Sequence, residues 1–165
     1  MRYLFLILLF ASCQSATTWE FGPFEKVTDA NPILRPSSDY SFLDPISLET
    51  RNFEEKNVLN PSAVVKDGLV HLIYRAQDSL MTSRLALATS SDGIHFEKFA
   101  QPILFPEEDE QFAFEWPGGI EDPRIVSLDQ GGYYLTYTAY DGKTARLFAA
   151  MSPDLIHWEK LGSVF

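Results

Sequence analysis

The sequence predicts an all-β fold made of repeated four-stranded antiparallel units, the plan of a β-propeller, and three observations lead there. The first is an internal repeat. "SRLALATSSDGIHFEK" (83–98) aligns with "ARLFAAMSPDLIHWEK" (145–160), pairing Arg84 with Arg146, His95 with His157 and Glu97 with Glu159, each 62 residues apart. The second is texture: short runs of Val, Ile, Tyr and Leu alternate with "KDG", "SSDG", "DQGG", "YDG" and "SPD", which is turn chemistry. The third is the scarcity of helical periodicity. Four-stranded units at a fixed period bury each face against the next unit, which is how propeller blades stack.

In chain order, the N-terminus reads "MRYLFLILLFASCQSATT": a basic Arg2, an apolar stretch from Tyr3 to Phe10, then Ala11 and Ser12 before the only cysteine, Cys13. The apolar stretch is shorter than the roughly 20 residues that cross a bilayer. Its layout is that of an export leader, and the small residues before a lone cysteine resemble a bacterial lipoprotein signal over 1–13, with lipidation at Cys13. Phe10 departs from the leucine usual three places before that cysteine. The expected location is the bacterial cell envelope, with membrane contact only through a lipid anchor. Residues 14–30 are expected to form a tether and lead-in, and one cysteine allows no intrachain disulfide.

Residues 31–165 are expected to hold the propeller portion. "NPSAVV" (60–65) returns as "DPRIVS" (122–127), 62 residues on, and "LIYRAQD" (72–78) as "LTYTAYD" (135–141), 63 residues on. Four strands are predicted per unit, in the second copy near 124–128, 132–138, 145–151 and 158–161. Short helices are predicted only at 48–56 and 107–112. A fainter copy links "NPILRP" (31–36) to "QPILFP" (101–106). A closed ring needs about four blades or more, so the chain is expected to hold the first two to three blades of an incomplete ring.

Composition sets limits. Of 165 residues 45% are hydrophobic and 14% aromatic, enough for a packed core. A net charge of −10 without a basic run argues against nucleic acid, whose backbone needs a cationic face. His95 and His157 repeat beside Phe96 and Trp158, so they are read as blade-turn and core residues. No His, Cys or Asp cluster has metal spacing, and neither a phosphate loop nor a nucleophile elbow is present. No cofactor is expected.

In a repeat protein the shared positions mostly serve packing, so chemistry is sought where equivalent positions differ. Each unit places X-Pro at its first strand, and the proline is expected to hold X extended at the strand's beginning. X is Asn60 in one copy and Asp122 in the other. First strands of blades line the central channel, so the two side chains are expected to converge. One strand later Arg75 stands where the second copy has Thr138, and it is read as gripping a hydroxyl-rich or anionic ligand.

"NPSAVV", "YRAQD", "SRLALATSSDGIHFEK", "WPGGIEDPRIV" and "YYLTYTAYDG…ARLFAAMSPDLIHWEK" together resemble the β-mannoside phosphorylases of glycoside hydrolase family 130, from about Asn31 to Lys160. The resemblance implies a five-bladed propeller that cleaves β-mannosidic bonds with inversion, by phosphorolysis with inorganic phosphate as co-substrate or by hydrolysis. By the same likeness Asp122 is the general acid, delivering its proton through a sugar hydroxyl, and Asn60 and Arg75 contact the sugar. Glu121, Arg124, Tyr140 and Asp141 complete the implied substrate-binding set. Glu121 would raise the proton affinity of Asp122, and Arg124 would oppose it on reaching it. The basic residues that bind phosphate in this family come mainly from later blades, beyond Phe165, and an envelope location favours water as acceptor. A non-catalytic glycan-binding propeller, or an inactive fragment of such an enzyme, is the alternative. An arabinanase or invertase-like propeller is disfavoured by "GGIEDPR", and a homo-oligomer is left open.

Overall fold

Strand pairing follows the repeat. The computed structural model describes residues 22–165, so the leader and Cys13 lie outside the described residues. The elements are β1 (Phe42–Leu43), β2 (Thr50–Arg51), β3 (Asn57–Lys66), β4 (Leu69–Gln77), β5 (Ser83–Ser90), β6 (Glu97–Lys98), α1 (Phe112–Glu115), β7 (Gly119–Ser127), β8 (Tyr133–Tyr140), β9 (Ala145–Ser152) and β10 (Glu159–Ser163). Strands β3 to β6 form one antiparallel meander and β7 to β10 a second. The four strands expected of each unit are therefore present. One parallel bridge, Ser83 to Gly119, joins the two meanders.

The helical expectations fail in an instructive way. Residues 48–56 hold β2 and turns instead of a helix. Asp44 accepts hydrogen bonds from the Ile46 and Ser47 amides, which turns the chain, and buried Glu54 is drawn to Tyr74 and Lys98. Partners distant in sequence override the local helical preference. The second expected helix is displaced to α1, four residues long and starting at Phe112.

The X-Pro expectation is also corrected. β3 begins at Asn57 and β7 at Gly119, so each proline lies inside its strand. The register slips between Leu59 and Ser62, and again between Glu121 and Arg124. In each case two residues face one, Asn60 and Pro61 across from Tyr74, and Asp122 and Pro123 across from Tyr137. That is a β-bulge, which accommodates a proline because the extra residue leaves the ladder. Asn60 (φ 45°) and Asp122 (φ 51°) are left-handed, not extended. Asn and Asp are the side chains that tolerate this conformation best.

Side chains alternate along the central strands, so two cores form. Ile73, Leu85 and Leu87 from the first meander pack with Ile120, Leu135, Tyr137 and Phe148 from the second. On the opposite face of the first meander Tyr74, Ala76, Ala86 and Ala88 pack against Phe42 and Phe53 of the lead-in. Strand β5 is thus covered on both faces, consistent with its near-continuous burial. Leu85, Leu87, Ile120 and Leu135 are fully buried, each worth about 1.5–3 kcal/mol of apolar burial.

Buried charge ties the lead-in to the first meander. Arg84 binds Asp44 at 2.5 Å and Asp78 at 2.8 Å, with its guanidinium 5.0 Å above the Phe42 ring. The repeat places Arg146 over Phe114 in the second unit, paired there with Asp141.

The junction explains one glycine of the pair in "WPGGIEDPR". A Cβ on Gly119 (φ +104°) would stand 2.1 Å from the Ser83 carbonyl oxygen. Gly119→Ala should therefore cost about 3 kcal/mol or more, combining backbone strain with a steric clash. Urea unfolding of the whole protein checks this; a loss within about 0.5 kcal/mol, the range of neutral surface changes, would contradict it.

Candidate active site

The two bulges meet. Asn60 Nδ2 donates to Asp122 Oδ1 at 2.5 Å, across the boundary between the units. A second tie runs beside it, where the Ile125 amide donates to Ser62 Oγ at 3.2 Å. Left-handed backbone at each bulge turns the strand, and the following strands are held together by the shared core. The expected convergence of Asn60 and Asp122 is thus observed, by a backbone route different from the expected one.

Arg75 joins them from β4. Its position between Leu59 on β3 and Leu85 on β5 sets it on the face that meets the second unit. Its guanidinium donates to Glu121 Oε1 at 2.6 Å, and its Nε donates to Ser83 Oγ at 3.0 Å. The remaining nitrogen stands 3.5 Å from Asp122 Oδ1. Arg75 and Glu121 are recessed, with side chains 17% and 14% exposed, while Asp122 at 36% reaches solvent.

Three further residues complete the cluster without having been singled out from the sequence. Ser83 Oγ donates to Glu121 Oε1 at 3.2 Å and receives Gln77 Nε2 at 3.2 Å. Gln77 in turn accepts from Asn57 Nδ2 at 2.8 Å. Arg75 is therefore fixed on two sides, by a carboxylate and by a hydroxyl that is itself held. The readable signal was the period of two: Arg75 and Gln77 lie on one face of β4, and Ser83 opposes Gln77 on β5.

The other expected site residues make contacts outside this cluster. Arg124 is exposed and donates to the Pro123 carbonyl at 2.7 Å; the cation beside Asp122 is Arg75. Asp141 accepts the Lys143 and Thr144 amides and pairs with Arg146 at 2.8 Å, so it shapes the β8–β9 turn as Asp78 shapes the β4–β5 turn. Those bonds, led by Arg146, hold its acidity near a pKa of about 2. Tyr140 packs against Gly118, where a Cβ would lie 2.3 Å from its ring. His95 and His157 stand in turns as expected but not in the core: their side chains are 82% and 81% exposed, each against its own turn aspartate.

Glu121 is pushed above the ordinary carboxylate range by burial. Arg75 and Ser83 oppose the shift, and the charge of Asp122 adds to it. Burial disfavours the ionised form, and the guanidinium restores part of what burial removes. Chemically the cluster offers one solvent-reaching carboxyl, one guanidinium and the Asn60 amide, a set suited to hydroxyl groups. Among the described residues no group of three His, Cys, Asp or Glu could hold a metal ion.

Comparison with known proteins matches this scaffold over most of its length. The sequence model described as β-1,4-mannooligosaccharide phosphorylase, of glycoside hydrolase family 130, matches residues 25–165. A 1,2-β-oligomannan phosphorylase from Thermoanaerobacter sp. (strain X514) is 34% identical over 81% of this chain and 43% of its own length. A glycosyl hydrolase structure from Bacteroides ovatus superposes with a TM-score of 0.86 at 38% identity, covering 89% of this chain and 42% of that one. A structure described with family 130 glycoside hydrolases that target β-1,2-mannosidic linkages in Candida mannan has a TM-score of 0.86 at 40% identity, covering 91% and 44%. The chain thus spans less than half the length of each of these relatives.

The raised value of Glu121 fixes a sign. Folded Glu121 binds protons more readily than unfolded Glu121 just above the ordinary value of 4.5, so the stability it contributes is greatest at acid pH and declines as pH rises through that window. Measured against Glu121→Gln, the parent should lose unfolding free energy from pH 4.5 toward neutrality and then level off. A difference independent of pH in urea titrations would contradict the burial of this carboxyl.

Proposed function

Since the chain belongs to glycoside hydrolase family 130 over residues 25–165, we propose that the whole protein cleaves β-mannosidic bonds with inversion, with Asp122 as general acid. The observation that carries this reading is the contact of Asp122 with Asn60, beside Arg75, at the meeting of the two bulges. The five-bladed ring, with these two meanders at its start, belongs to the same reading.

Cleaving a glycosidic bond requires a proton for the leaving oxygen and an acceptor attacking from the opposite face of the sugar. The hydrogen bond from Asn60 is accepted by Asp122 Oδ1, so the proton of a neutral Asp122 belongs on Oδ2. Oδ2 passes it to a sugar hydroxyl, which relays its own proton to the glycosidic oxygen. Asn60 and Arg75 orient that sugar through its hydroxyls, and an aligned donor contributes about 10²–10⁴-fold to the rate.

The acceptor is phosphate or water. Within the described residues the cluster supplies one guanidinium, already engaged by Glu121, so a phosphate dianion needs cations from elsewhere in the whole protein. Water needs none. Kinship extends to both kinds of protein, since one relative is a phosphorylase and one solved structure is described with hydrolases.

Manno-oligosaccharides incubated with and without phosphate test the reading. Mannose 1-phosphate formed only with phosphate indicates phosphorolysis, and mannose formed in both indicates hydrolysis; in either case the first product should be the α-anomer by NMR. Asp122→Asn should lower kcat about 10²–10⁴-fold and leave glycan affinity within a few-fold. No product from the parent, or a fully active Asp122→Asn, would refute the assignment.

A further inference from the structure

Each unit carries a buried Glu–Tyr–Lys network that the repeat preserves. In the first, Tyr74 donates to Glu54 Oε2 at 2.7 Å, and Lys98 Nζ to Glu54 Oε1 at 2.5 Å. In the second, Tyr137 donates to Glu115 Oε1 at 2.7 Å, and Lys160 Nζ to Glu115 Oε2 at 2.7 Å. Both glutamates are fully buried and both tyrosines nearly so. A buried carboxylate without partners would be costly, so each network is held by necessity as a unit.

The location of the tyrosines gives the networks a second consequence. Tyr74 is the single residue facing the Asn60–Pro61 bulge, and Tyr137 the single residue facing Asp122–Pro123. A bulge with a proline lacks one ladder donor, so the ladder alone leaves its conformation underdetermined. Beside the Asn60–Asp122 hydrogen bond, the residue opposite is placed to supply a further constraint. The Tyr137 ring packs against Phe148, with centroids 5.9 Å apart, and its hydroxyl is tied to Glu115. Glu115 ends α1, and the chain runs from it through Gly118 and Gly119 directly into β7. The carboxylate that fixes Tyr137 therefore also fixes the segment delivering Asp122. Lys160 on β10, bound as well to Asp109 at 2.8 Å, closes the network from the far strand.

We infer that Tyr137, held by Glu115 and Lys160, is a positioning residue for Asp122, and that Tyr74 does the same for Asn60. The inference rests on the reading of Asp122 as general acid. Tyr137 touches no substrate; it sets the direction in which the acid points. The two units make each other's control, because removing either hydroxyl deletes the corresponding Tyr–Glu bond of a matching Glu–Tyr–Lys network while the bulge opposite differs.

Tyr137→Phe and Tyr74→Phe in the whole protein test this. Both should lose similar thermal stability. Tyr137→Phe should lower kcat about ten- to a hundredfold, the effect of misplacing a reacting group by about 1 Å, with KM nearly unchanged. Tyr74→Phe should raise KM and lower kcat less than Tyr137→Phe does, because Asn60 contacts the sugar and only steadies Asp122 through one hydrogen bond. Glu115→Gln, which can still accept from Tyr137, should retain more kcat than Tyr137→Phe. Hydrogen exchange gives an activity-independent readout: amides of residues 119–127 should quicken in Tyr137→Phe and those of 57–66 in Tyr74→Phe. Equal effects of both variants on both segments, or an unchanged kcat in Tyr137→Phe, would overturn the inference. A parent inactive on β-mannosides would instead sink the proposed function, and hydrogen exchange would still decide the positioning.

Discussion

The hydrogen bond from Asn60 to Asp122 is the interaction on which the site depends, and it exists because a proline interrupts the first strand of each unit. Proline cannot donate to the ladder, so the strand absorbs it as a bulge and the residue before it takes a left-handed backbone. Asn and Asp satisfy that conformation and also bear the polar groups that meet across the units. One backbone constraint therefore selects the side chains and aims them. The same bulge in both copies makes the contact nearly symmetric in backbone and asymmetric in chemistry, an amide facing a carboxyl.

Around that contact, repetition and divergence divide the labour. Positions that the repeat shares form the scaffold: Tyr74 and Tyr137, Glu54 and Glu115, Lys98 and Lys160, Arg84 and Arg146. Positions where the copies differ form the site: Asn60 against Asp122, and Arg75 against Thr138. Arg75 points from the first unit toward the second and finds Glu121 there. Thr138, on the face of β8 opposite Tyr137, has no corresponding unit among the described residues to reach toward.

Buried charge holds the parts in register. Arg84 with Asp44 and Asp78 fastens the lead-in to β5, while the paired carboxylate networks fasten each unit's entering chain to its second and fourth strands. Burial raises Glu115 and Glu121 above the ordinary carboxylate range, against the pull of Lys160 and Arg75 respectively. Replacing such groups with apolar ones could preserve stability, but removing one partner strands the other in a low-dielectric interior. Their directional bonds specify one arrangement of strands, which an apolar core of the same volume does less strictly.

The sequence by itself determined the all-β class, the two four-stranded units and the bounds of β8, β9 and β10 to within two residues, because turn chemistry and alternation are local; β7 begins five residues before its expected start. It also marked Asn60, Asp122 and Arg75, since divergence within a repeat is visible as text. The Phe-Glu pairs at 53–54 and 114–115 and the lysines ending both long repeats, Lys98 and Lys160, were equally visible, yet their meaning required knowing which strand each side chain crosses. Tertiary structure alone decided the bulges, the capture of Arg75 by Glu121 and Ser83, and the tyrosines behind Asn60 and Asp122. Those outcomes depend on register and on contacts tens of residues apart. A one-residue slip in pairing redirects every side chain that follows, and nothing in local propensity records it.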